Sequence, residues 1–242
     1  MRTLTTVNPL PALSSLFYPA ACVVCSSNVE RSDYLCESCK SRAPRITPPF
    51  CAKCSEPFSG AITQTFSCAN CEHRLLHFDS AVAAYRSRGL VRNLVHAFKY
   101  GHQRHLRHPL AHWLGETMRD PRLRGRRFDL IVPVPLHPAR ERERGFNQAA
   151  LLAELFARQI AVPHRLALER IRYTKTQTAY DRAERMENLR DAFRLRKNMN
   201  VRELHVLLID DVLTTGSTLS ECARVLKEAG AISVYAATAA RA

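Results

Sequence analysis

Eight of the nine cysteines in this 242-residue chain fall in four doublets of one form: Cys22/Cys25, Cys36/Cys39, Cys51/Cys54 and Cys68/Cys71. A Cys-x-x-Cys pair turns two sulfurs toward one point and supplies half of a tetrahedral thiolate site, so two pairs complete one zinc site. The intervals between doublets, 10, 11 and 13 residues, leave room for a short hairpin between knuckles. Four disulfides would admit 105 connectivities and would not call for such regular doublets. They would also imply an oxidising compartment. Two structural zinc ions are therefore expected, with all eight paired cysteines as ligands. Spacing alone does not separate sequential from crossed pairing, and the sequential pattern is the expectation adopted. A closed four-cysteine site leaves no position for substrate, so the metal is expected to fold the chain rather than to do chemistry. Cys222 stands alone in a helical pattern and reads as a buried core residue.

The metal-stapled region extends to about residue 77 and is rich in proline (Pro44, Pro48, Pro49, Pro57) with little helical periodicity. So short a stretch builds little core of its own, which is why it would need metal. After it the texture changes. Residues 79–85 (DSAVAAY) read as a strand, and Leu90, Leu94, Val95 and Phe98 recur at helical spacing up to Gly101. A second helical stretch covers 105–118. FDLIVPVP at 128–135 is a short buried strand, ERERGFNQ a loop, and Asn147 to Ile160 an apolar-faced helix. Residues 170–190 are too polar for core. The strand HVLLI (205–209), the loop DDVLTTGST, a helix from Ser217 to Glu228 and a last strand ISVYAATA complete the chain. Strands alternating with helices predict a parallel, doubly wound α/β sheet over 78–242, preceded by a zinc-ribbon module over 1–77. Beyond the doublets no internal repeat is visible.

No uninterrupted apolar run approaches the ~18 residues of a membrane-spanning helix, so membrane insertion is not expected. Arg2 and the apolar stretch ending at Cys22 imitate a lipoprotein signal, but Asn8, Pro9 and Pro11 interrupt it and Pro19 stands where such a signal wants an aliphatic residue. A cytoplasmic protein is expected. The formal charge of +14 is unevenly placed, since residues 1–79 hold only 7 of the 36 Lys and Arg but 6 of the 22 Asp and Glu. Eight thiolates on two zinc ions would take the first region to about −3 and the whole chain to about +10.

The chemistry concentrates in Asp210-Asp211-Val-Leu-Thr214-Thr215-Gly216-Ser217-Thr218. A buried strand delivers two adjacent carboxylates at the carboxyl edge of the sheet, where open α/β sheets bind ligands. Five small polar residues then open a helix, and Gly216 lets backbone amides curl round an anion. Carboxylates beside an anion cradle make sense when they accept from a ribose diol or hold magnesium. Together the two parts describe a ribose 5-phosphate site. Helix capping is the plainer alternative, but it needs one hydroxyl and leaves the paired aspartates unexplained.

This segment resembles the signature with which type I phosphoribosyltransferases bind 5-phosphoribosyl 1-pyrophosphate (PRPP). The whole chain resembles the ComF family of competence-associated phosphoribosyltransferase-like proteins. The cysteine-rich start, LVHAFKYG, PVPLHPARERERGFNQA, the Gln177 stretch with NLRDAF, and VLLIDDVLTTGST stand in that family's order. The resemblance implies a Rossmann-like parallel sheet, with Asp210 and Asp211 facing the ribose hydroxyls and magnesium, and Thr214, Thr215, Gly216, Ser217 and Thr218 holding the 5-phosphate. Pyrophosphate would be met by Lys99, His137, Arg140, Arg142, Arg144 and Gly145, the arginines offering forked donors to diphosphate oxygens. Arg172, Gln177 and Arg185 would belong to a mobile loop closing over the site. Partners implied are PRPP or a related ribose phosphate, single-stranded DNA and proteins of the competence machinery. With every early cysteine assigned to zinc, a glutamine-dependent amidotransferase is not expected.

Overall fold

Four of the apolar runs form one parallel sheet: β1 (Ala81–Arg86), β2 (Leu130–Pro133), β5 (His205–Leu213) and β6 (Ser233–Arg241), in the spatial order β1-β6-β5-β2. A small antiparallel pair, β3 (Leu168–Arg170) with β4 (Phe193–Leu195), stands apart from it. The computed structural model describes residues 20–30, 34–58, 60, 66–173 and 189–242. The chain divides into two compact units, Met1–Arg42 and Ala43–Ala242, so the division runs between the second and third cysteine doublets.

The smaller unit contains a short helix, α1 (Glu37–Ser41). In the larger unit α2 (Ala69–Glu72) follows Cys68, α3 (Gly89–Tyr100) follows β1, and α4 (Arg107–Glu116) precedes β2. Between β2 and β3 come α5 (Pro138–Arg144) and α6 (Gln148–Ile160), and α7 (Ser217–Glu228) joins β5 to β6. β5 is a continuous apolar run because both its faces are covered. Val206 and Leu208 share a buried cluster with Leu219, Cys222, Ala223 and Leu226 of α7. Alternation along the strand turns Leu207 and Ile209 to the other face, where α6 packs along β2 and β5. This is the expected doubly wound parallel sheet. Cys222 is fully buried, and burial pushes its thiol well above the ordinary range.

Three local expectations are corrected. The ERERGFNQ segment is not a loop throughout: Pro138–Arg144 is helical, begun by His137, whose Nδ1 accepts from the Ala139 amide at 3.2 Å, and ended by Gly145 at φ 75°. Pro at the first helical position and Gly just past the last suit those two ends. β5 does not stop at Ile209 but runs to Leu213, because β6 continues to pair with it from Asp210↔Thr238 to Leu213↔Arg241. β2 ends against Ile209, so Asp210 and Asp211 are the first residues of β5 with no β2 partner. Finally, the cysteine region is an internal repeat in backbone as well as in cysteines. Ser26 N–H donates to Cys22 O and Cys22 N–H to Ser27 O, while Ser55 N–H donates to Cys51 O and Cys51 N–H to Glu56 O. Ser26 and Ser55 both stand at φ 60°. The side chains beyond the cysteines differ, which hides the repeat from the sequence.

Candidate functional site

The sulfurs of Cys22, Cys25, Cys36 and Cys39 lie within 4.8 Å of one another, and so do those of Cys51, Cys54, Cys68 and Cys71. The pairing is sequential. A zinc ion about 2.3 Å from four sulfurs sets them roughly 3.8 Å apart. The Cys25–Cys36 and Cys54–Cys68 sulfur separations of 3.5 and 3.6 Å fit that geometry. The Cys68 amide points at Cys51 Sγ from 3.3 Å and the Arg42 guanidinium at Cys39 Sγ from 3.1 Å, the donors that thiolates need. A hydrogen bond from Ser27 draws the Cys36 thiol down to about 6, whereas burial holds Cys39 up at about 12.

At the carboxyl edge of the sheet the two aspartates differ. Asp211 is buried, and its Oδ1 lies 2.9 Å from Lys99 Nζ, so α3 supplies a cation directly to the carboxylate. Burial lowers the Lys99 ammonium, but the charges of Asp211 and then Asp210 outweigh it, and the net shift is upward. Asp210 accepts from the Asp211 amide at 2.9 Å. Burial first, and the neighbouring Asp211 charge second, push its carboxyl up to about 7. A carboxylate so disfavoured gains from a cation or a donor brought to it. Two carboxylates, one of them only partly committed, are a donor set that suits magnesium shared with substrate phosphates.

Beyond them the chain turns into α7. Gly216 is the N-cap residue at φ 78° and brings no side chain to the helix start. A Cβ there would stand 3.4 Å from the Phe78 ring, in a backbone region L-residues avoid. Thr215 Oγ1 lies 2.9 Å from Ser217 Oγ, Ser217 is buried, and Thr214 is exposed. The Thr215 hydroxyl also accepts from the Ser217 amide at 3.4 Å, and that single capping bond does not account for the whole group of hydroxyls. The helix dipole and the first-turn amides favour an anion here.

The basic residues group by helix face. Arg140 and Arg144 are four apart on α5 and share a face, and Arg142, two residues from each, lies on the other face and is exposed. Arg144 donates to Gln148 Oε1 at 3.1 Å and covers the Tyr100 ring at 5.1 Å from its centroid. Arg140 stands 5.8 Å over Tyr173, whose ring also meets His137 edge-on at 5.1 Å. Arg172 donates to Arg190 O at 2.9 Å. Gln177 and Arg185 lie outside the described residues. Asn147 caps α6, accepting from the Ala150 amide at 3.3 Å.

Three residues around the site were not reached from the sequence. Arg170, at the end of β3, is buried deeply enough that its guanidinium is lowered, and Arg140 and Asp210 act on it. Asn70 and Arg74 reach the backbone of the turn before α7, at Thr215 O, from the second cysteine quartet. An arginine three residues past a cysteine carries no signal of this, since the contact spans about 140 residues.

Comparison with known proteins finds two family models along the chain. A double zinc ribbon domain matches residues 13–75 and a phosphoribosyl transferase domain residues 147–242. Competence protein F of Haemophilus influenzae is 31% identical over 88% of this chain and 93% of its own length. The DNA utilization protein YhgH of Salmonella typhimurium is 32% identical over 90% of this chain and 96% of its own. Competence protein ComFC of Bacillus subtilis is 30% identical over 81% of this chain and 79% of its own. With a double zinc ribbon leading into a phosphoribosyltransferase-type parallel sheet and such similarity along most of its length, this chain belongs to the ComF family of competence-associated proteins.

Proposed function

We propose that this protein binds PRPP with magnesium at the carboxyl edge of its sheet and acts in the cytoplasm in the handling or use of DNA taken up from outside. The observation that carries the reading is the pair Asp210 and Asp211, one buried on Lys99 and the other pushed up to about 7, on the strand that leads through Thr214 and Thr215 into the N-cap Gly216. Asp210 and Asp211 would accept from the ribose hydroxyls. Thr214 to Thr218 would hold the 5-phosphate with backbone amides and hydroxyls. Arg140, Arg144 and Lys99 would face the pyrophosphate, with His137, Arg142 and Gly145 on the same helix as lesser contributors and Arg172 at the start of the covering loop. Magnesium, when bound, supplies charge neutralisation of the diphosphate. The arginines would then stabilise the departing pyrophosphate as positive charge grows at C1 of the ribose.

Calorimetry with PRPP and magnesium, followed by pyrophosphate release across a panel of nucleobases and amines, tests this. Binding in the micromolar range that is lost in Asp210→Asn with Asp211→Asn, together with base-dependent release, is expected. Binding without release from any acceptor would turn the reading from an enzyme to a PRPP-responsive regulator. No binding at all would end it.

A second reading, a platform for single-stranded DNA, draws on two exposed aromatics. Tyr100 and Tyr173 are 57% and 50% exposed, and each has an arginine over its ring. Such pairs suit base stacking beside phosphate. Salt-dependent retention of oligonucleotides, weakened by Tyr100→Ala with Tyr173→Ala, would favour it. The names of two relatives, Competence protein F and DNA utilization protein YhgH, support proteins of DNA uptake and use as its partners.

A further inference from the structure

The second cysteine quartet does more than fold itself, because side chains anchored on its knuckle hold one peptide group of the phosphate loop. Arg74 Nη1 donates to Thr215 O at 3.1 Å, and Asn70 Nδ2 donates to the same oxygen at 3.1 Å. Arg74 Nη1 also donates to Asn70 Oδ1 at 2.6 Å, which ties the two donors together, and Nη2 donates to Ser217 Oγ at 2.8 Å. Asn70 belongs to the helical turn Ala69–Glu72, which is capped by the ligand Cys68 and contains the ligand Cys71. Two further contacts come from the same segment. The His77 amide donates to Ser220 Oγ at 3.1 Å, and the Phe78 ring closes the space behind Gly216.

In a trans peptide the carbonyl of one residue and the N–H of the next point in opposite directions. Two donors fixed on Thr215 O therefore aim the Gly216 N–H away from the ribbon. An N–H with its direction set in advance binds an anion without first reorienting, and a forked guanidinium does this where an ammonium cannot. We infer that Arg74 and Asn70 are positioning residues that lock the Thr215–Gly216 peptide for a ribose 5-phosphate group, and that the second metal site, not the first, governs phosphate binding. This rests on reading residues 214–218 as a phosphate cradle.

The test uses the full-length protein with ribose 5-phosphate as probe, read by calorimetry and by the Gly216 amide resonance in a ¹⁵N–¹H spectrum. Arg74→Ala is expected to weaken binding at least tenfold and to speed exchange of the Gly216 to Ser220 amides, with zinc content unchanged. Arg74→Lys, which keeps the charge but loses the fork, should recover less than half of the loss. Arg124→Ala removes an exposed arginine elsewhere and should match wild type. Comparing Cys71→Ser with Cys39→Ser, only the former should loosen the loop amides. Wild-type affinity and exchange in Arg74→Ala would overturn the inference, and so would equal loosening by the two cysteine variants. Absence of ribose 5-phosphate binding in wild type would sink the phosphate reading alone, since the exchange comparison would still decide whether the lock exists.

Discussion

The two cysteine knuckles share a backbone but not a setting. Both turn through a serine at φ 60°, both carry a short helix after the third ligand, and both gather four sulfurs within 4.8 Å. Yet Ser26 is exposed, whereas Ser55 is fully buried and its hydroxyl bridges to β1, donating to Ala81 O at 3.0 Å and accepting from Ala83 N–H at 3.2 Å. Arg122 adds bonds to Cys51 O, Ala52 O and Ser55 Oγ, and Arg241 at the end of β6 pairs with Glu56. One knuckle folds a small unit. The other is built into the edge of the sheet and the turn before α7. A repeated motif thus kept its metal chemistry in both copies, while the side chains between the ligands decided what each copy supports.

The widest separation should appear on losing a ligand. Structural zinc contributes on the order of 10 kcal/mol where it folds a domain, comparable to a whole domain's stability. Cys51→Ser should therefore unfold the larger unit or lower its melting temperature by more than about 10 °C, whereas Cys22→Ser should leave that transition nearly in place. Calorimetry with zinc analysis reads both, and equal losses would break the contrast.

Arg122→Ala comes next. It would take a donor from two backbone carbonyls, a buried hydroxyl and Asp120, whose Oδ2 it meets at 2.7 Å, at a cost of about 2–4 kcal/mol by urea denaturation. Arg42→Ala, on the exposed side of the first knuckle, should change the midpoint little. Ser55→Ala should cost about 1–3 kcal/mol through its lost bridge, against less than about 0.5 for Ser26→Ala. A similar small value for both would mean that the buried hydroxyl contributes nothing the first knuckle lacks.

The smallest effect is in pH. Asp210 has a folded-state value of about 7, above its ordinary 3.8, so the folded protein holds a proton that the unfolded chain releases. That contribution is complete at pH below the unfolded value and disappears as pH rises through about 7. Between pH 5.5 and 7.5 the larger unit should lose about 1–2 kcal/mol that Asp210→Asn does not lose, and the smaller unit should show no such slope. Denaturation midpoints across that range would check it.

What could be read in advance followed local patterning. The run HVLLI announced a doubly buried strand, the doublets announced two closed metal sites, and the small polar residues around Gly216 announced a tight turn into a helix. Partners distant in sequence set the rest. β5 extends through two aspartates because β6 pairs with them, a stabilisation outside any local window. Helix α5 is charged on all sides and shows no apolar period, although His137, Pro138 and Gly145 marked its ends. β3 and β4 are three residues each and lie too far apart to read as a hairpin. At the site, Arg74, Arg122 and Arg170 look like ordinary solvated arginines until the chain is folded.

The boundary between Arg42 and Ala43 bears on how this protein can be cut. A truncation that removed the whole cysteine-rich segment would expose the edge of β1, leave Arg122 and Arg241 facing water, and strip the turn before α7 of its floor. A chain shortened to begin at Ala43 would discard one metal and keep every one of those neighbours. The shortest piece expected to keep the phosphoribosyltransferase-type sheet with its supports therefore carries one metal site, and the second quartet is better counted as its first structural element than as a separate module.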